Sequence, residues 1–267
     1  MTIPASLPDR TVIRLSGEDR YSFLQGIVTQ DVERLKAEPA IFSALLTPQG
    51  KILFDFLIAA EGDALLIDCD SAAADALVKR LSLYKLRAKV SFEILAERSV
   101  AVSAEEFEGG FPDPRHAGLG WRAFMTNETP AADSVYDRRR IALDVPEFGK
   151  DFGGDEVFLT DVNYDVLNGV NYKKGCFIGQ EVSSRMKRKG DVRRRTLIAK
   201  FDGAAPAKGA PVTAGASTLG DISSSADGTA LAQIRLDRWE KAKAESTPVM
   251  CGDKELLLEI PAYLKPE

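Results

Sequence analysis

The chain has 267 residues, of which 45% are hydrophobic and 28% charged, and its formal net charge is −5. This composition is typical of a folded protein that buries a large core, and it excludes collagen-like or extensively disordered chains. An acidic chain is not a general nucleic-acid coater. No apolar run reaches the roughly 18 residues of a membrane helix, and the first ten residues lack the pattern of a secretory signal. We therefore expect no membrane partner and a cytoplasmic location, or the mitochondrial matrix if the chain is eukaryotic.

The numbers and positions of the cysteines and the histidine limit the kinds of catalytic and metal site to expect. Cys69, Cys176 and Cys251 are odd in number and far apart, which argues against a disulfide framework and fits a reducing compartment. The single histidine, His116, lies in a Gly/Pro-rich stretch and is predicted to be a surface loop residue. Histidine-based zinc sites and Ser-His-Asp catalysis are therefore not expected.

The first hundred residues alternate between strand-like and helix-like patterns. Residues 11–15 alternate as a strand, and residues 18–36 carry apolar positions at helical spacing. A second helix is predicted at 72–84. Three β-rich runs joined by tight turns predict an antiparallel meander at 40–46, 51–59 and 64–69, and further strands are predicted at 88–95 and 99–104. This order predicts an α+β fold with antiparallel sheets.

The second half divides near residues 188–194. Residues 104–137 carry no strong signal, 138–154 predict a short helix and a loop, and 176–187 a helix or turn. From Arg194 onward, short strands separated by small and polar residues predict a small all-β domain, a barrel or sandwich. We therefore assign residues 1–190 to an α+β region and 191–267 to a C-terminal β-barrel-like domain.

One segment combines several features of a reactive site. In Lys174–Glu181, two glycines flank Cys176, so the backbone there can turn tightly and be closely approached. A lysine two residues earlier and a helix start just after would both favour the thiolate. A buried structural cysteine in a Gly-rich turn explains the residues equally well.

The segment KGCFIGQE resembles the signature of the YgfZ family of folate-binding proteins, relatives of the glycine-cleavage T-protein, and it matches that signature at every position. Weaker blocks occur in the family's order, and with the signature they extend the resemblance over about residues 10–195. They lie at residues 17–32, 45–56, 81–90, 140–151 and 163–165.

The resemblance implies a T-protein-like ring of α+β subdomains around a central hole, followed by a β-barrel. It implies tetrahydrofolate, or a one-carbon derivative, as the ligand, with no stably bound metal. The implied role is assembly or repair of iron–sulfur clusters in client enzymes, including a tRNA-thiolating radical-SAM enzyme, rather than conventional catalysis. Implied partners are folate and iron–sulfur client or assembly proteins.

The same resemblance implies site residues. Cys176 is the working thiol and a possible transient cluster ligand, and Asp55 matches the carboxylate beside the reactive folate nitrogens. Further folate-binding candidates are Tyr84, Arg87, Lys174, Gln180 and Glu181. Three of them have a plainer alternative: Asp55 as an exposed strand residue, Tyr84 as packing, and Glu181 as the ion-pair partner of Arg185 on a helix.

Two features bear on alternative functions. Ala142 stands where the T-protein has a pterin-holding glutamate, which argues against a folate-dependent aminomethyl or methyl transferase, the alternative that Asp55 supports. The basic run Arg185–Arg195, with Arg138–Arg140 as a second cluster, could attract polyglutamylated folate, RNA or an acidic partner, although a solvated linker face is the favoured explanation. A binding module without catalysis is the third possibility. We expect no direct nucleic-acid binding outside this run.

Overall fold

The computed structural model describes residues 4–126, 130–131, 135–190 and 192–265. The α-helices of this part are α1 (Arg20–Gln25), α2 (Ala74–Lys85), α3 (Val135–Ala142), α4 (Gln180–Lys189) and α5 (Leu236–Ala244). The strands up to residue 126 are β1 (Ala5–Ser6), β2 (Arg10–Ser16), β3 (Ala40–Leu46), β4 (Ile52–Glu61), β5 (Ala64–Asp70), β6 (Ser91–Ile94), β7 (Ser99–Ser103), β8 (Phe111–Pro112) and β9 (Trp121–Met125). The later strands are β10 (Arg194–Lys200), β11 (Pro211–Ala214), β12 (Ser217–Ala226), β13 (Thr229–Arg235), β14 (Val249–Cys251), β15 (Lys254–Glu255) and β16 (Leu257–Glu259).

The first sheet is the predicted meander extended by two strands. Its antiparallel order is β3-β4-β5-β2-β6. Every residue of β3 is buried, as expected for an apolar strand covered on both faces. In the β3–β4 register Ala44 faces Asp55, which places this carboxylate in the middle of the sheet rather than at its edge.

The predicted helix at 18–36 is only partly correct. An α-helix covers Arg20–Gln25 and a 3₁₀ turn covers Val32–Lys36, with a non-helical segment between them. In that segment Thr29 Oγ1 accepts the Ala44 backbone N–H at 2.8 Å, and Ser43 Oγ accepts the Gln30 N–H at 2.9 Å. The Gln30 bond replaces an intrahelical one, and both bonds attach the segment to β3. The apolar residues that suggested the helix are nevertheless buried.

The stretch without strong signals contains a strand that the sequence analysis missed. β9 pairs with β7 and β8 in a four-stranded antiparallel sheet of order β1-β7-β9-β8. Its second residue, Arg122, is fully buried. A charged residue at the second position of a five-residue strand hides the apolar pattern by which such strands are detected.

The C-terminal strands form a seven-stranded antiparallel sheet of order β15-β14-β11-β12-β13-β10-β16 around a core of their own. The expectation of an all-β domain is wrong in one respect, because α5 packs on this sheet through Trp239 and Ala242. Arg140 of α3 reaches across to it, and its Nη2 donates to Ser224 Oγ of β12 at 2.9 Å. No helix in the described ranges combines the length and apolarity needed to span a membrane.

Candidate functional site

The signature segment is a loop followed by α4, and it is fixed to the body on both sides of Cys176. Lys174 is buried, and its Nζ donates to the backbone oxygens of Val28 at 2.7 Å and Gln30 at 2.9 Å. Phe177 is buried on the other side, its ring centroid 5.6 Å from that amine. Cys176 between them is exposed. The loop therefore presents the thiol to solvent from a position held by its neighbours.

Burial lowers the pKa of the Lys174 amine to about 8, although the carboxylate of Asp31 acts in the opposite direction. Its bonds to two backbone oxygens give Lys174 a structural task that the sequence analysis did not foresee. The loop continues this attachment upstream, where the Asn171 N–H donates to the oxygen of Thr29 at 3.1 Å.

The glycine that precedes α4 makes the closest contact of the signature. Gly179 has a φ of +76°, and a Cβ at this position would lie 2.5 Å from the backbone oxygen of Thr47. Thr47 begins the turn between β3 and β4. Gly50 in the same turn has a φ of +84°, and its hypothetical Cβ would meet Val182 of α4 at 3.0 Å. The helix α4 and the β3–β4 turn thus approach each other closely because Gly179 and Gly50 lack side chains.

The two signature residues after Gly179 lie at the start of α4. Gln180 Nε2 donates to the backbone oxygen of Gly175 at 3.4 Å, which helps close the loop around Cys176. Glu181 is exposed in the first turn, where a carboxylate is favoured by the helix dipole. The proposed ion pair with Arg185 is not found among the described contacts, since neither residue takes part in a salt bridge there.

Asp55 is 2% exposed, so the alternative prediction that it is an exposed strand residue is wrong. Its Oδ2 accepts a short hydrogen bond from the Tyr164 hydroxyl and another from the Phe148 backbone N–H at 3.3 Å. Burial raises the pKa of Asp55, while Arg10 and the Tyr164 bond act to lower it. Burial and the neighbouring Asp55 charge likewise raise the pKa of Tyr164.

Tyr84 and Arg87 lie at the end of α2. Tyr84 is partly buried against the main core, and Arg87 is exposed just beyond the helix. In the described part of the chain no hydrogen bond or ion pair joins either residue to Asp55 or to the signature loop. Two of the residues predicted to bind folate, Asp55 and Lys174, instead make hydrogen bonds inside the protein.

A buried ion network is the largest feature that the sequence analysis missed. We call it the central ion network, and it links β2 and β5 of the first sheet to β9 of the second. Asp68 accepts from Arg10 Nε at 2.6 Å and from Arg122 Nη1 at 2.9 Å. Its members are Arg10, Asp68, Asp113, Arg115, Arg122, Tyr136 and Glu147, each at most 5% exposed.

The charges of this network compensate one another. Burial alone would raise the pKa of Glu147, but Lys150, Arg10 and Arg115 hold it well below its ordinary value. In the same way Arg115 and Arg122 outweigh burial and lower the pKa of Asp113. Within the network three arginines face three carboxylates, and their ion pairs join the first sheet to the second.

The two predicted basic clusters separate in the structure. Arg195 is half-buried and makes a bidentate pair with Asp165, whereas Arg185 and Arg188 are exposed on α4. Arg140 is 1% exposed and binds Asp137 and Asp151. The suggestion that Arg140 belongs to a basic surface is therefore wrong, because its charge is neutralised in the interior. His116 lies in a loop, as predicted, and its Nδ1 accepts the Gly118 N–H at 3.0 Å.

Comparison with solved structures defines the class of fold. The chain aligns with a crystal structure of the glycine cleavage system aminomethyltransferase T from Bartonella henselae with a TM-score of 0.74, over 97% of this chain and 85% of that one. The sequence identity is 18%, so the likeness establishes the fold alone. The predicted T-protein-like α+β fold with a C-terminal barrel is confirmed.

Sequence comparison defines the family within that fold. The family described as CAF17, C-terminal beta-barrel domain, matches residues 193–266. The human protein named iron-sulfur cluster assembly factor IBA57, mitochondrial, is 31% identical over 250 residues, covering 80% of this chain and 70% of its own length. A Neurospora crassa homologue is 29% identical over 238 residues, covering 75% of this chain, which spans only 54% of that relative.

The chain belongs to the IBA57 family of iron–sulfur cluster assembly factors, within the CAF17 group and on the aminomethyltransferase fold. The resemblance stated from the signature is thus confirmed for the iron–sulfur assembly group, while the YgfZ branch in particular stays a prediction. The relatives' names place them in mitochondria, which agrees with the location expected for a eukaryotic chain.

Proposed function

We propose that this chain acts in iron–sulfur cluster assembly, with Cys176 as its working thiol. The family relationship supports the role in cluster assembly. One structural observation supports the choice of residue: Cys176 is exposed between two buried residues, Lys174 and Phe177, whereas Cys69 and Cys251 are buried. Among the three cysteines, all of which lie in the described part of the chain, the exposed thiol is therefore the one that the loop holds in place.

A single thiol limits how this chain can hold an iron–sulfur cluster. Iron–sulfur clusters usually take four thiolate ligands, and Cys176 can supply one. The remaining ligands have to come from a donor protein, an acceptor protein or small thiols, so the cluster is cargo rather than a resident group. A loop held in place by Lys174 and Gly179 reduces the ordering cost of such a shared complex.

The role is tested by complementing a strain that lacks this protein. We expect wild type and Cys251→Ala to restore iron–sulfur enzyme activity, and Cys176→Ala, expressed to the same level, to fail. Cys251→Ala is the matched control because it removes a buried cysteine of the barrel core. Equal rescue by Cys176→Ala would contradict the thiol's role, and a deletion strain without defects would contradict the assembly role.

The finer client assignment is tested in the same strains. We propose that a tRNA-thiolating radical-SAM enzyme is among the clients, as the signature resemblance implies. The expected result is a loss of thiolated tRNA that parallels the loss of enzyme activity. Normal tRNA thiolation beside defective iron–sulfur enzymes would remove this client and leave the general role intact.

Tetrahydrofolate binding is a second candidate, which the shared aminomethyltransferase fold favours. Tyr164 and Phe148 both donate to Asp55 Oδ2. Among the described contacts Oδ1 accepts no hydrogen bond, so it is the Asp55 oxygen that we propose to face a folate nitrogen. We expect tetrahydrofolate titrated into wild type to bind, Asp55→Asn to weaken it, and the exposed control Asp63→Asn to leave it unchanged. Absence of binding to wild type would contradict the proposal.

Aminomethyl transfer is the enzyme alternative, and Asp55 is the residue that supports it. Ala142 is exposed at the end of α3, where the T-protein resemblance calls for a carboxylate. We therefore expect no methylene transfer to tetrahydrofolate by wild type. Turnover that Asp55→Asn abolishes would bring this alternative forward.

A further inference from the structure

The end of α2 carries an exposed apolar pair that the proposed function does not use. Leu83 is 64% exposed and Leu86 is 90% exposed, the two highest values among the large apolar side chains of the described residues. The other face of the helix is buried through Ala74, Leu77 and Leu81. An isolated exposed leucine is ordinary, but here two lie within four residues of one another at the same helix end.

The backbone at this point is unusual. Leu86 follows the last residue of α2 and has a φ of +43° and a ψ of −105°. This is close to the first central position of a type II′ turn, which favours glycine because a Cβ is strained there. The turn holds a bulky apolar side chain almost completely in solvent, where neither local packing nor backbone preference accounts for it.

The patch is surrounded by positive charge. The segment 79–89 holds five basic residues and no acidic one, in a chain whose net charge is −5. Lys89 pairs with Glu18. Lys79, Arg80 and Arg87 are exposed and take part in no salt bridge with another described residue. On the helix Lys79 and Arg80 lie one turn before Leu83, so charge and apolar surface share one face.

We propose that this surface, the α2 tip (Lys79, Arg80, Leu83, Leu86 and Arg87), docks a protein that presents carboxylates around an apolar pocket. Charge complementarity selects an acidic partner and speeds its encounter, and the two leucines supply the apolar anchor. An anionic membrane fits less well, because the apolar face of α2 is buried in the core and the acidic remainder of the chain would be repelled by such a surface.

The docking is tested first in cells by a photocrosslinking amino acid at position 83, with position 257 as the control. Leu257 is 62% exposed on the barrel strand β16, so it matches Leu83 in exposure and apolarity. We expect one protein adduct at position 83, absent at position 257. A lipid adduct, an adduct with a second copy of this chain, no protein adduct, or the same adduct at both positions would overturn the proposal.

The crosslinked protein is then purified and titrated with variants that keep the fold. Leu86→Gly removes the apolar side chain and suits the turn, and Lys79→Glu with Arg80→Glu reverses two exposed charges. We expect each to weaken binding about tenfold, and wild-type binding to weaken as salt rises, since exposed charges are screened. Equal affinity of wild type and both variants would overturn the proposal. Cys176→Ser is expected to bind like wild type, so the docking and the thiol's role are tested separately.

Discussion

The signature loop and the central ion network differ in how the chain uses polar residues. The loop is conspicuous in the sequence, exposes its thiol and is held by backbone contacts. The network is inconspicuous in the sequence, is buried and consists mainly of oppositely charged side chains that pair with one another. Strongly shifted pKa values are often taken to indicate active sites. Here three of them, Arg10, Arg115 and Glu147, belong to a joint between sheets, whereas the thiol that we propose as the working group lies in the exposed signature loop.

The largest expected effect comes from breaking the network. Asp68→Asn removes the charge that two buried arginines share, so it leaves Arg10 and Arg122 partly uncompensated. We expect the free energy of unfolding to fall by about 3–5 kcal/mol, measured by denaturant titration. The thiol of Cys176 in the folded fraction should react with a thiol reagent at the wild-type rate. A changed rate would contradict the separation of the two regions.

Gly179→Ala tests whether the loop depends on the close approach of α4 to the β3–β4 turn. The new Cβ would meet the Thr47 oxygen and would sit at a positive φ, so we expect a loss of about 2–4 kcal/mol. Gly175→Ala is the matched control, because a Cβ there meets nothing within 4 Å. We expect it to change stability by about 1 kcal/mol at most. Equal effects of the two substitutions would contradict the fit described here.

Lys174 links the loop to pH. Because its folded pKa of about 8 lies below the ordinary value of 10.5, the unfolded chain binds more protons between these values, and stability contributed by this group rises from pH 8 to pH 10.5. Lys174→Met should remove this rise, which we expect to be about 1–3 kcal/mol. Unfolding titrations of both proteins across this range measure it. Parallel pH profiles would show that the amine is not buried as described.

Cys176→Ser should have the smallest effect on stability. Its side chain is exposed and lies between anchors that the substitution leaves intact, so the free energy of unfolding should change by less than about 0.5 kcal/mol. Thermal unfolding of the variant beside wild type gives the value. A loss above about 1 kcal/mol would indicate that Cys176 is a packing residue, the plainer explanation of the signature.

Local sequence patterns determined many of the secondary-structure elements of this protein and the position of its signature loop. Period-two and helical spacing located most strands of the first sheet and α2, because neighbours in sequence set which face is buried. The signature identified Cys176, and its two glycines indicated a closely approached backbone, which Gly179 confirms. The residues that make 18–36 look helical form core contacts without forming one helix, since Thr29 and Ser43 divert the backbone bonds.

Only the tertiary structure decided what the polar residues do. Arg10, Asp68 and Arg122 meet from distant parts of the chain, so no spacing predicts their network. Lys174 donates to two backbone oxygens in the interior, and Asp55 is buried with a bond from Tyr164, although the signature resemblance implied a ligand-binding role for both. Periodicity reports which side of an element is buried, whereas the partner of a charge is fixed by packing between elements.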